Sequence, residues 1–171
     1  KRPVGITALA VAGVALRDLD GDGRPDIVLA NRAGGSFAYF NERGGVFSDG
    51  VPIGDSRDRV FSVHVADLNG DGKADVVLGM AAEQAAVLLN GGDGRTFTRL
   101  GLSDRRGILA GLAEHGIVYG LATGDLNGDD APDVVAARAF LPSMVYMNSL
   151  HRTAGAGGLP TLLWRRLVGP D

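Results

Sequence analysis

The stretch DLDGDGRPD at residues 18–26 decides the reading of this chain, because it returns as DLNGDGKAD at 67–75 and as DLNGDDAPD at 125–133. Each copy places carboxylates or amides at alternate positions, with glycines between them that let the backbone curl. Several like charges then converge on one point, which is costly unless a cation sits there. Calcium suits these donors. It takes about six to eight oxygen ligands at roughly 2.3–2.6 Å in flexible geometry, whereas magnesium demands a tighter octahedron and keeps its waters. The chain has no cysteine, and His64 is the one histidine near a copy, so zinc or copper finds little to bind.

An EF-hand loop opens in a similar way but closes with a bidentate Glu at its twelfth position. The twelfth positions here are Leu29, Leu78 and Ala136. The last carboxylate falls instead at the ninth position, as Asp26, Asp75 and Asp133, and is followed by IVLA, VVLG and VVAA, which read as strands rather than an exiting helix. The EF-hand is rejected on both counts.

The three copies align without a gap well beyond the acidic turn. Upstream lie VAGVALR, VFSVHVA and VYGLATG; downstream, a second strand leads through a bend to SFAYFN, AAVLLN and SMVYMN. Asn41, Asn90 and Asn148 stand at one common distance after Asp18, Asp67 and Asp125. The unit is therefore strand, acidic turn, strand, bend, strand and Asn-led turn, completed by a weaker fourth strand such as VFSDGVPI or TFTRLGL. A four-stranded sheet recurring at about 40–50 residues is the mark of a propeller blade, and near-continuous apolar strands fit a sheet buried on both faces. The fold expected is all-β: three four-stranded blades, one over about 8–54, one over about 59–102 and one over about 117–169, with an insertion at about 103–116.

In these motifs the chain resembles FG-GAP repeats, also called VCBS repeats, the calcium-binding blades of integrin alpha-subunit propellers and of many secreted bacterial proteins. The resemblance runs from about Val11 to Val168. It implies calcium ligands at positions one, three, five and nine, with a backbone carbonyl at seven. Site one would use Asp18, Asp20, Asp22, the Arg24 carbonyl and Asp26; site two Asp67, Asn69, Asp71, the Lys73 carbonyl and Asp75. Site three would use Asp125, Asn127, Asp129, the Ala131 carbonyl and Asp133. Asp130 departs from the pattern, standing where the other copies have Gly23 and Gly72 at a position that usually needs a positive φ. By charge count site one binds most tightly, an expectation that the crowding of its four carboxylates opposes.

A single acidic turn could equally be a solvated, metal-free loop, since Asp, Asn and Gly are ordinary turn residues. Three copies with one carboxylate spacing argue for the cation. A catalytic use of these acids is set aside, because holding a hard cation accounts for their clustering.

The 171 residues, 45% of them hydrophobic, suffice for one domain with a sizeable core. Ten of the 20 acidic residues are the proposed ligand carboxylates, and three divalent ions would add six charges, moving the net charge from −3 to +3. Neither nucleic-acid binding nor membrane attraction is expected from that balance. Open calcium turns of this kind suit a secreted, extracellular or periplasmic setting, where modules of about millimolar affinity suffice. No signal-peptide pattern or apolar run of membrane length is visible, and the start at Lys1 rather than Met is expected to reflect removal of an upstream segment.

Closed propellers have about four to eight blades, and this chain supplies three. The chain is expected to be a fragment of a longer propeller, or to associate with itself, for example as two chains giving six blades, or to have a partner covering its ends.

Among other residues, His64 is expected to be a hydrogen-bonded interblade histidine rather than a ligand contact. The segment from Ser103 to Gly116, with Arg105, Arg106, Glu114 and His115, reads as a solvated connector that could form a short helix or a binding face. TAGAGGLP at 153–160 lacks the Gly-Lys-Ser/Thr ending of a phosphate loop, and Trp164 reads as core before sugar platform. No nucleophile motif occurs. The function expected is a non-enzymatic, calcium-binding extracellular module that recognises a protein or a glycan. The alternatives are a carbohydrate-active propeller of lectin or polysaccharide-lyase type, in which the Arg-rich insertion would take part, and a purely structural, self-assembling propeller fragment.

Overall fold

The computed structural model describes residues 10–81, 85–101, 116–140, 142–149 and 163–166. The connector residues Arg105, Arg106, Glu114 and His115, and the 153–160 loop, lie outside these; of Trp164 only the strand position is described.

The described residues are all-β, without a helix, and form three four-stranded antiparallel sheets. Sheet one begins with β1 (Val11–Arg17), β2 (Asp26–Asn31) and β3 (Ser36–Tyr39). A small hairpin of β4 (Asn41–Arg43) and β5 (Val46–Phe47) follows, before β6 (Val51–Ile53) pairs with β3 to complete the sheet. Sheet two runs in sequence order through β7 (Val60–Ala66), β8 (Asp75–Met80), β9 (Ala86–Asn90) and β10 (Phe97–Gly101). Sheet three contains β11 (Ile117–Gly124), β12 (Asp133–Ala139), β13 (Met144–Ser149) and β14 (Leu163–Arg166). The first strands lie side by side, β1 against β7 and β7 against β11, as in propeller blades.

The fourth strand of sheet one differs from the sequence expectation. The stretch VFSDGVPI is not one strand: Gly44 and Gly45, with φ of 61° and 73°, turn the chain so that Val46–Phe47 closes a hairpin, and only Val51–Ile53 reaches the sheet. Gly50 makes this return possible, since a Cβ there would sit 3.0 Å from the Tyr39 ring.

The alternation of side chains along each strand sets which sheet meets which. Ala15 pairs with Val28 and Val28 with Ala38, and all three face sheet two. There they pack with Phe40, Val76, Leu78 and Leu88 in one buried cluster. Val77 and Val87 point the other way and meet Val134 of sheet three. Every residue of β8 is buried, as its unbroken apolar run requires of a strand covered on both faces. Full burial of each such aliphatic side chain contributes about 1.5–3 kcal/mol, so the two sheet-to-sheet clusters dominate stability.

Polar contacts lock the same seams. Ser62 Oγ donates to the Val118 carbonyl at 2.8 Å, and His64 Nε2 lies 3.0 Å from Thr123 Oγ1, each joining sheet two to sheet three. His64 is thus the bonded interblade residue the sequence suggests, and burial lowers its pKa. On the sheet-one side Arg32 stacks over Phe61, whose ring meets Tyr119 edge to face. Among the described glycines Gly79 is the most tightly covered: a Cβ there would lie 2.2 Å from Ser62 Oγ and 2.7 Å from the Val118 side chain. Gly79→Ala should therefore wedge sheets two and three apart and lower stability by about 1–3 kcal/mol in urea unfolding. Gly120→Ala, whose nearest neighbour would be Ala137 at 3.5 Å, should change it little.

Candidate metal centre

Each acidic turn joins the first and second strands of its sheet, immediately after the pairs Arg17 with Asp26, Ala66 with Asp75 and Gly124 with Asp133 close the ladder. Its shape is held by its own side chains. Asp18 Oδ1 accepts the N–H of Gly21 at 2.8 Å and of Asp22 at 3.2 Å, while Oδ2 accepts that of Gly23 at 2.8 Å. Asp67 repeats the pattern with Gly70, Asp71 and Gly72, and Asp125 with Gly128, Asp129 and Asp130. Position five accepts the N–H two residues on: Asp22 from Arg24, Asp71 from Lys73, Asp129 from Ala131. The departure at Asp130 is tolerated, since its φ of 62° falls in the left-handed region that Gly23 and Gly72 occupy at 83° and 82°.

In turn one the carboxylates of Asp18, Asp20 and Asp22 each bring an oxygen within 4.8 Å of the others. Turns two and three place Asn69 and Asn127 in the middle, and their amides donate to Asp71 Oδ2 at 3.1 Å and Asp129 Oδ2 at 2.9 Å. Basic side chains lean on the same groups: Arg24 on Asp22, Arg95 at 3.9 Å from Asp20, and Lys73 at 3.8 Å from Asp71. The donor set is oxygen only, clustered on the exposed side of the turn, and fits a hard cation.

The ninth-position residues stand apart from this cluster and are fully buried. Asp26 accepts the N–H of Leu19 on one oxygen and of Asn41 on the other, both at 2.9 Å. Asp75 does the same with Leu68 and Asn90, and Asp133 with Leu126 and Asn148, at 2.7–2.9 Å. A carboxylate oxygen has two lone pairs, so one such bond leaves acceptor capacity for a cation. These aspartates tie the turn to the end of the third strand.

The asparagines complete the arrangement, a role that their equal spacing signalled but that sequence reasoning did not assign. Each amide donates to a carbonyl of its own turn: Asn41 to Pro25 at 3.2 Å, Asn90 to Ala74 and Asn148 to Pro132 at 3.1 Å. Asn90 and Asn148 also reach the preceding sheet, donating at 2.8 Å to the carbonyls of Leu19 and Leu68. Asp93, outside the acidic turns, proves to be a turn anchor of its own, accepting from Arg95 N, Thr96 N and Thr96 Oγ1.

Electrostatics follow the geometry. Burial is the main influence on Asp75 and pushes its carboxyl up to about 6; the Asn90 and Leu68 N–H groups oppose the rise, and Asp71 and Asp67 add to it. Asp26 is raised likewise, by burial first, against the N–H groups of Asn41 and Leu19. For Asp125 some burial is outweighed by the N–H groups of Asp130, Gly128, Asp129 and Asn127, which hold its carboxyl low. The N–H groups of Thr96 and Arg95 bring Asp93 down to about 2.

Between the first two turns lies a cleft of about 440 Å³, lined by Arg17, Asp18, Leu19, Asp67 and Lys73 among others. The Lys73 ammonium is held beside it by the Gly91 carbonyl at 3.1 Å.

Residues 18–78 match the FG-GAP-like repeat family, a span that covers turn one, turn two and the strands between them. Among solved structures the chain is similar to a lectin from Agrocybe aegerita described as specifically recognising non-reducing terminal N-acetylglucosamine. The identity is 28% and the TM-score 0.50, over 78% of this chain and 34% of the lectin. The chain thus spans about a third of that lectin's length. No curated protein matches.

Asp75→Ala should cost about 2–4 kcal/mol, because two buried N–H groups lose their acceptor, whereas Asp49→Ala at an exposed site should stay within about 0.5 kcal/mol; urea unfolding compares them. Folding raises the Asp75 pKa from 3.8 to about 6, so in metal-free protein rising pH through that window subtracts stability and falling pH restores it. A carboxyl NMR titration should find the Asp75 midpoint near 6 and that of Asp93 near 2. An Asp75 midpoint below 4 would contradict its buried placement.

Proposed function

We propose that this chain, a set of β-propeller blades carrying an FG-GAP-like repeat at residues 18–78, is a calcium-stabilised extracellular module that binds a glycan and catalyses no reaction. The observation that carries the binding reading is the cleft between turns one and two, where charged groups of both signs line a concave wall. A volume of about 440 Å³ falls in the range of about 300–1,000 Å³ common to small-ligand sites. Arg17 and Lys73 line it and offer charged donors to sugar hydroxyls. Likeness to a lectin that recognises N-acetylglucosamine supports the same ligand class.

Calcium enters as a stabiliser. Asp18, Asp20 and Asp22, with the Arg24 carbonyl and Asp26, would hold one ion, and the matching groups of turns two and three would hold two more. When bound, the ion supplies positive charge that balances the converging carboxylates and stiffens the walls of the cleft. The acidic side chains then serve shape and not proton transfer.

Saturating calcium, at about a hundred times its dissociation constant, should stabilise the fold by roughly 2.7 kcal/mol per site. Chelator should remove that gain, and calorimetry should lose a site in Asp22→Ala. A melting temperature indifferent to chelator would sink the calcium reading. On a glycan array, terminal N-acetylglucosamine should be retained and Lys73→Ala should weaken retention at least tenfold; a blank array would overturn the glycan reading while leaving calcium untouched.

A further inference from the structure

Two joints of one design hold the three sheets together, and a half of the same joint stands open at each end. In the first joint Leu19 is 2% exposed, its carbonyl takes the Asn90 amide, and Gly94 closes over it. A Cβ on Gly94 would lie 3.0 Å from Leu19 and 2.7 Å from Phe40. In the second joint Leu68 is 0% exposed and its carbonyl takes the Asn148 amide. Leu126, the third of these leucines, is 56% exposed, and among the described residues no asparagine reaches its carbonyl.

The matching half lies on sheet one. Asn41 donates to Pro25 as Asn90 does to Ala74, but its second N–H meets no carbonyl among the described residues. The chain after it has the backbone of the filled socket. Arg43 has φ 110° where Gly92 has 111°, and Gly45 has 73° where Gly94 has 64°. Arg43 is one of three described non-glycine residues with positive φ, a conformation that strains any side chain. Gly94 is packed tight, yet Gly45 has nothing within 4 Å of where a Cβ would stand.

The sheet faces agree with the joint. Ile27 and Leu29 occupy the positions that Val76 and Leu78 use to meet sheet one, and with Val14 and Leu16, 63% and 66% exposed, they leave an apolar face open. At the other end the open face carries Ala122, Val135 and Val145, in register across three strands. These match the side that Ala15, Val28 and Ala38 turn toward sheet two: small residues set to receive large ones.

We propose that the open end of sheet three docks on the open end of sheet one of a second copy, with Leu126 seated over Gly45 and its carbonyl taking the Asn41 amide. The interface is head-to-tail, and such an interface either closes or polymerises. Two copies place six sheets in a ring, within the range of about four to eight that closed propellers use. Each copy then contributes both halves of the joint. Neither calcium in the turns nor a glycan in the cleft is needed for this contact.

Sedimentation equilibrium of the 171-residue chain, with and without calcium, tests it. Wild type should have twice the single-chain mass of 17.7 kDa. L126R changes a side chain exposed in the single chain, so it should keep the circular dichroism of the wild type and fall to half the mass. G45N, at a φ that Asn tolerates, should do the same by filling the socket. A wild-type mass other than the pair's overturns the proposal, and a mass of 17.7 kDa would leave the faces to further sheets of the same kind on a longer chain. Variants that still pair overturn it too, by showing that the copies meet through another surface.

Discussion

A carboxylate that accepts two backbone N–H groups, one from its own turn and one from the end of the third strand, is the constraint on which this molecule depends. Asp26, Asp75 and Asp133 each make this pair of bonds out of contact with water. The bond to the turn sets how far the first hairpin curls, and the bond to the asparagine fixes where the third strand stops. With both set, the amides of Asn90 and Asn148 are aimed at the sheet before them. Burying a charge in this way is unfavourable for the carboxylate, as the raised pKa of Asp75 shows. The compensation is that several polar groups which no ladder serves are satisfied together.

The acidic turns divide their labour by position. The first residue gathers the N–H groups that make the chain curl, the third and fifth turn oxygen outward, and the ninth faces inward and ties the curl to the sheet. Closing the curl and turning oxygen outward are therefore separate tasks. The turn is already closed by its own hydrogen bonds, while Arg24, Arg95 and Lys73 take up part of the repulsion among the outward carboxylates. Turns two and three use an amide where turn one has Asp20, and that amide donates to its acidic neighbour as well as accepting from the backbone.

Most of the sheet order was legible in the sequence because it is local: three acidic turns, each between two apolar runs, leave one way to pair the strands. The double burial of Asp75–Met80 was legible for the same reason, as a run of six residues with no polar residue after the aspartate. What the sequence hid depends on contacts between repeats. The distance from Asp18 to Asn41 is plain in any alignment, but its meaning appears only when Asn90 is seen holding the Leu19 carbonyl 71 positions away. The β4–β5 hairpin was missed because VFSDGVPI, following the Asn-led turn, has the apolar ends of a single weak strand. The role of Asp93 was not legible because two of its three donors are the backbone N–H groups of Arg95 and Thr96, which any residue could supply.

The reach of the asparagines also bears on how the chain folds as it is made. Asn148 lies 80 positions after the leucine it holds, and Asn90 lies 71 after its own. A nascent sheet one thus leaves the ribosome with its leucine carbonyl unsatisfied and the face that sheet two covers still bare, and it waits for most of the next repeat to emerge. At about 5–20 residues per second that delay is on the order of several seconds. Translation, proceeding from the amino end, delivers the partners in the order the seams need them.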